Sequence, residues 1–187
     1  NYLPGVPEGS DLCITPVSAP ENHYVRIKAD NRLDADGTLR GTFTLTAEGQ
    51  SDSNIRRIFT TGFQSEWKST MERQLLAISP KARLLSVDYG KNPKDYQAAP
   101  IKITFRYEIP DYALRGEGEM FFRPMVMNNL YNQVRSYIWI DTSVENRKYG
   151  FKDGCSRLVE LDETIQLPAG YKLVSAAKDE TMQGVGA

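Results

Sequence analysis

Leu39-Arg40-Gly41-Thr42-Phe43-Thr44-Leu45-Thr46-Ala47-Glu48 alternates without a break. Leu39, Gly41, Phe43, Leu45 and Ala47 fall on one side, and Arg40, Thr42, Thr44, Thr46 and Glu48 on the other. A strand reverses its side-chain direction at every residue, so strict alternation with β-branched threonine outward reads as a half-buried antiparallel strand. Just upstream, Tyr24 to Asp30 alternates in the same way, with Val25, Ile27 and Ala29 against Arg26 and Lys28. Asp34-Ala35-Asp36-Gly37 lies between the two runs. Gly37 tolerates the positive φ of a tight turn, and aspartate side chains bond nearby amides. The whole stretch therefore predicts a β-hairpin.

After the hairpin the period changes. Ile55, Phe59, Phe63, Trp67, Met71 and Leu75 recur every four residues, joined by Ile58 and Ile78. Residues four apart share a helix face, but a strict four-residue stripe drifts by roughly 40° per step on a 3.6-residue helix. Gly62 offers a break, so the spacing predicts two helices, about 53–61 and 64–78, with Asp52 or Ser53 as the first cap and Pro80 as the stop. The aromatic stripe is expected to pack against a sheet. Alternation then returns. Leu85, Val87 and Tyr89 form one run, and Ile101, Ile103, Phe105, Tyr107 and Ile109 another that ends at Pro110. Further strands are expected at 117–123, 136–141, 157–167 and 171–175, the last two joined by the turn Pro168-Ala169-Gly170. Residues 1–23 carry Pro4, Gly5, Pro7, Gly9, Pro16 and Pro20, too many breakers for a regular element. They read as an irregular lead-in that Leu12, Cys13, Ile14 and Val17 can pin to a core. The expected fold class is α+β, mainly antiparallel β and sandwich-like, with a two-helix insertion at about 53–78.

Composition narrows the chemistry. Hydrophobic residues make up 40% and charged residues 25% of the 187, ordinary for a globular protein. A net charge of −1 gives no broad attraction to nucleic acid or anionic membrane, so no nucleic-acid partner is expected. No apolar run approaches the roughly 20 residues that span a bilayer, so no membrane span is expected. No signal peptide is visible. The start at Asn1 rather than Met raises the expectation of an upstream portion. Two cysteines allow one disulfide; Cys13 and Cys155 are far apart in sequence, and buried free thiols are the expectation.

His23 is the one histidine. A histidine-based metal site is therefore beyond this chain's means, and no cofactor, metal site or catalytic residue is assigned. Cys13 and His23 are the only thiol–imidazole candidates near one another in sequence, but neither a helix amino terminus to lower the thiol pKa nor a following Asn or Asp is in view. Asp34-Ala35-Asp36-Gly37 invites a calcium-loop reading, which fails because Arg32 and Phe43 stand where ligands belong. Glu117 with Glu119, and Asp162 with Glu163, are carboxylate pairs of a kind common on polar strand faces. Tyr107, Tyr112, Tyr131, Tyr137 and Trp139 could stack on a sugar or peptide, or fill a core.

The order of segments also resembles a known arrangement. Asn1-Tyr2-Leu3-Pro4-Gly5 leads into Gly9-Ser10-Asp11-Leu12, then the Leu33-Asp34-Ala35-Asp36-Gly37-Thr38-Leu39-Arg40-Gly41 hairpin. The helix around Ser65 to Ser79 follows, and later Glu163-Thr164-Ile165-Gln166-Leu167-Pro168-Ala169-Gly170-Tyr171. From about residue 1 to 175 this is similar to the domain of unknown function that follows the catalytic core in transglutaminase-like (putative cysteine protease) proteins of Bacteroides-type bacteria. The resemblance implies an exported, periplasmic or secreted, multidomain protein with a papain-like Cys-His-Asp core before Asn1. It implies that 1–23 is a strap from that preceding domain and 24–187 a β-rich accessory domain. Cys13 and His23 match none of that core's catalytic positions. The chain is then expected not to be an enzyme by itself but to pack on the preceding catalytic domain and shape its cleft. The alternatives are a stand-alone module for a peptide or glycan ligand, using rings between Tyr107 and Trp139, and a small thiol enzyme built on Cys13 and His23.

Overall fold

The computed structural model describes residues 4–13, 16–98, 100–126, 146, 148 and 156–181. The predicted hairpin is the centre of the molecule. Strand β1 (Val25–Leu33) pairs antiparallel with β2 (Leu39–Ala47), in a register that sets Leu33 opposite Leu39 and Val25 opposite Ala47. In the turn, the Gly37 amide donates to the Asp34 carbonyl at 2.9 Å and the Thr38 amide to the Asp36 carboxylate at 2.9 Å, with Gly37 at φ +83°. The bonds from Thr38 to its charged form hold the Asp36 carboxyl below its ordinary pKa.

Two helices follow, α1 (Gly49–Thr60) and α2 (Trp67–Leu76), linked by a short 3-10 turn at Gln64–Glu66. Strand β3 (Arg83–Asp88) pairs with β4 (Ile101–Ile109), and β4 with β2. A small ribbon, β5 (Leu114–Arg115) and β6 (Met120–Phe121), precedes β7 (Val159–Gln166), which lies parallel to β1. The main sheet thus runs β3-β4-β2-β1-β7, antiparallel except for its last pair. The fold is α+β and mostly β, as expected.

Alternation assigns the two faces. Val25, Ile27, Ala29 and Leu33 of β1, Leu39, Phe43 and Ala47 of β2, and every second residue of β4 from Ile101 to Ile109 turn inward and are buried. They meet Ile55 and Phe59 of α1 and Trp67, Met71 and Leu75 of α2. Phe43 stacks on its cross-strand neighbour Phe105 with centroids 4.3 Å apart, and Phe59, Trp67 and Tyr89 pack edge to face. The sandwich-like expectation takes the form of a sheet layer under a helical layer. The opposite face carries threonines and charges in the same register, including a Thr44–Thr104 hydroxyl bond of 3.1 Å.

Several details depart from the sequence expectations. Helix α1 starts four residues early, at Gly49, and neither Asp52 nor Ser53 caps it. Helix α2 stops at Leu76, ahead of Pro80. Phe63 leaves the aromatic stripe and is 76% exposed, because it sits at the break where the stripe changes helix. A bulge between Leu84 and Ser86 turns Leu85 outward, leaving Leu84 and Val87 to face Tyr107 and Phe105. The strand expected over 117–123 shrinks to the ribbon. That expected over 171–175 does not form: these residues belong to no strand and pair with nothing among the described residues. In the lead-in, Leu12 and Val17 are exposed rather than pinned to the core. The expected strand at 136–141, the rings Tyr131, Tyr137 and Trp139, and Cys155 lie outside the described residues. Among the described residues no helix is long and apolar enough to cross a membrane.

Candidate functional site

A polar chain crosses the buried face of the sheet and ends at an apolar cleft. It begins with Asn31, which occupies an inward position of β1 between Ala29 and Leu33. Its cross-strand neighbour on β2 is Gly41, and Gly41 in turn faces Tyr107 of β4. A Cβ on Gly41 would fall 2.0 Å from Asn31 Oδ1 and 2.5 Å from the Asp30 carbonyl oxygen. The missing side chain is what lets Tyr107 and Asn31 meet over β2, where the Tyr107 hydroxyl donates to Asn31 Oδ1. On the other side, Asn31 Nδ2 donates to Glu163 Oε1 of β7 at 2.8 Å. Glu163 also accepts the backbone amides of Met125 at 3.1 Å and Val126 at 2.8 Å.

Every link has a physical job. Tyr107 and Asn31 are buried, and buried polar groups cost free energy unless paired. Burial, and then the charge of Glu163, push the Tyr107 phenol far above its ordinary pKa, so it stays neutral and serves as a donor. The neighbouring Tyr112 phenol is pushed up to about 12 by the same two causes, and donates to the Arg123 carbonyl at 2.7 Å. Asn31 has no titratable proton, so it interrupts any proton path between Tyr107 and Glu163. The arrangement ties three strands and the helical residues 125–126 together.

Beside Glu163 lies a cleft of about 580 Å³, floored by Leu33 and Ile165 and flanked by residues of β6 and of the segment after β7. Most of its lining is apolar, including Met120, Phe121, Leu167 and Leu173.

A second buried polar cluster was not visible in the sequence. Arg56 of α1 is 2% exposed. Its Nε donates to Asp52 Oδ2 at 2.6 Å, and a terminal nitrogen donates to the carbonyls of Pro93 at 3.1 Å and Asp95 at 2.8 Å. Asp52 Oδ1 accepts the amide of Ile101 at 2.7 Å. Asp52, expected as a cap, therefore locks α1 to the loop before β4.

The residues weighed for chemistry are dispersed. His23 ends the 3-10 turn Pro20–His23, where its Nδ1 accepts the Gln50 amide at 3.1 Å and its carbonyl accepts the Ser51 hydroxyl at 2.9 Å. It does the capping that Asp52 and Ser53 were expected to do. Gly49 makes this possible at φ +61°, since a Cβ there would lie 2.4 Å from His23 Nδ1. Cys13 is a free, half-buried thiol that donates weakly to the Asp11 carbonyl at 3.6 Å. Asp162 and Glu163 point to opposite faces of β7, and Glu117 and Glu119 stand exposed at the ribbon turn. Tyr107 is core, and Tyr112 is half-buried. Among the described residues no group of three or more His, Cys, Asp or Glu side chains is placed to hold a metal ion.

Compared with protein-family models, curated proteins and solved structures, the chain matches none.

Proposed function

We propose that this chain is a non-catalytic accessory domain of a transglutaminase-like or cysteine-peptidase-like protein, exported to the periplasm or outside the cell, that packs on the catalytic core and shapes its cleft. The observation that carries this reading is the lead-in. It runs over the surface with Val6, Leu12 and Val17 left 40%, 64% and 80% exposed, although the sheet beside it has a full core of its own. Apolar side chains spaced along an irregular strap suit burial against a neighbouring domain. The polar groups that thiol or carboxylate chemistry would need are spent on structure: His23 on capping, Glu163 on three amide-type donors.

Sequencing the natural reading frame ahead of Asn1 and following hydrogen exchange of the lead-in test this. The expected result is a Cys, a His and an Asp in a helix-and-strand context upstream, with lead-in amides protected in the long protein and open in the isolated chain. A signal peptide directly ahead of Asn1 overturns the proposal. So does acyl-transfer or peptidase turnover by this chain that vanishes with Cys13→Ala.

A further inference from the structure

The cleft beside Glu163 sets an apolar lining against a charge that nothing neutralises. Its volume of about 580 Å³ lies within the roughly 300–1,000 Å³ of small-molecule sites. Leu33 and Ile165 give it an aliphatic floor, and the rings of Phe121, Phe122 and Tyr171 belong to its lining. The charged residues in that lining are Glu119, Glu163 and Lys172. Glu119 and Lys172 are exposed and of opposite sign, so they cancel. The cleft is left with one net negative charge, that of the half-buried Glu163.

Glu163 is hydrogen-bonded but not paired with a cation. Its Oε1 accepts from Asn31 Nδ2 and from the Met125 amide, whereas its Oε2 accepts only the Val126 amide. A carboxylate offers about four acceptor sites, so Oε2 keeps one in hand. Among the described residues no Lys, Arg or His forms an ion pair with Glu163. After burial, its charge is the next cause that pushes up the Tyr107 and Tyr112 phenols. Apolar surroundings strengthen a charge-assisted hydrogen bond, and they raise the cost of a charge left without one. A neutral apolar occupant would strip water from Glu163 and return nothing, and an anion would be repelled. We propose that the cleft binds a small organic amine, with its ammonium group donating to Glu163 Oε2 and its apolar body lying over Leu33 and Ile165. This site is separate from the lead-in strap, so it stands or falls independently of the accessory-domain reading.

Isothermal titration calorimetry at neutral pH tests the proposal, with benzylammonium chloride as the probe and benzyl alcohol as its uncharged match. The expected result is one amine bound per chain, roughly tenfold or more tightly than the alcohol, the worth of a hydrogen bond to a charged group. Glu163→Gln keeps one oxygen and removes the charge, and brings the amine down to the alcohol's affinity. Ala176→Trp, at an exposed position of the lining, blocks both compounds and leaves the melting curve where it is. If Glu163→Gln does not fold, the amine-to-alcohol ratio and Ala176→Trp decide. Equal affinities, no binding of the amine, or amine binding that survives either substitution in a folded variant overturns the proposal.

Discussion

Gly41→Ala sets two physical rules against each other, and the structure decides the sign. Glycine inside a strand costs about 0.5–1 kcal/mol relative to alanine, so propensity alone expects this change to stabilise the protein. Here the added methyl would sit 2.0 Å from Asn31 Oδ1, 2.5 Å from the Asp30 carbonyl oxygen and 2.9 Å from the Asn31 Cα. Rotating Asn31 relieves the first contact only, because the other two are backbone. Forcing an extra methyl into a packed site costs about 1–3 kcal/mol. Turning Asn31 away also strands the Tyr107 hydroxyl and frees one bond to Glu163, at about 1–3 kcal/mol for a buried unpaired group. After the propensity gain, the net loss is about 3 kcal/mol. With a urea m-value of about 2 kcal/mol/M, the unfolding midpoint falls by about 1.5 M. Circular dichroism during urea titration reads it. In an Asn31→Ala background the Oδ1 clash is gone and the polar chain is already cut, so Gly41→Ala should cost less there. A neutral or stabilising Gly41→Ala would refute the account of why β2 carries a glycine between Asn31 and Tyr107.

Glu163→Ala removes the acceptor for Asn31 and for two buried amides, and is expected to cost about 2–4 kcal/mol, with Glu163→Gln milder because one oxygen remains. Hydrogen exchange should show the Met125 and Val126 amides losing protection first; unchanged protection rejects the assignment. At alkaline pH, Tyr107 and Tyr112 are held neutral in the fold, whereas the unfolded chain ionises its phenols near the ordinary 10. The fold therefore keeps protons that the unfolded chain releases. This contribution is whole below pH 10 and declines as pH rises toward 12 and beyond. Absorbance titration should show these two phenols ionising late, together with unfolding, and simple ionisation at pH 10 would contradict the burial. His23→Ala deletes the acceptor at the start of α1 and should lower stability by about 1 kcal/mol, the usual worth of a cap. An unchanged midpoint would show that His23 is a bystander.

The main-sheet strands up to β4 were legible because each buries one face, and the alternation of Leu39 to Ala47 and of Ile101 to Ile109 survives intact in the fold. Both helices were legible from a stripe and a glycine. Their ends were not, because α1 is capped by His23, which is distant in sequence and brought close by the return of β2. The polar chain leaves a trace in the sequence. Asn31 interrupts Val25, Ile27, Ala29 and Leu33, and Glu163 interrupts Val159, Leu161 and Ile165, each on the inward side. A polar residue in an apolar row marks a buried partner, but the partner's identity depends on the parallel pairing of β1 with β7, which no local pattern encodes. Arg56 was hidden for the same reason: its acceptors are carbonyls, and carbonyls carry no sequence signal.

The place of β7 also bears on how the protein is made. β1 and β2 meet across a five-residue turn, whereas Arg26 of β1 and Glu160 of β7 are separated by 134 positions. At a ribosomal speed of about 5–20 residues per second, the outer edge of β1 waits on the order of ten seconds for its neighbour. During that interval Asn31 lacks its carboxylate, and a bare strand edge is open to other chains. The outward residues of β1, Arg26, Lys28, Asp30 and Arg32, are charged to the last one. Nascent chains that repel one another along that edge can afford the delay.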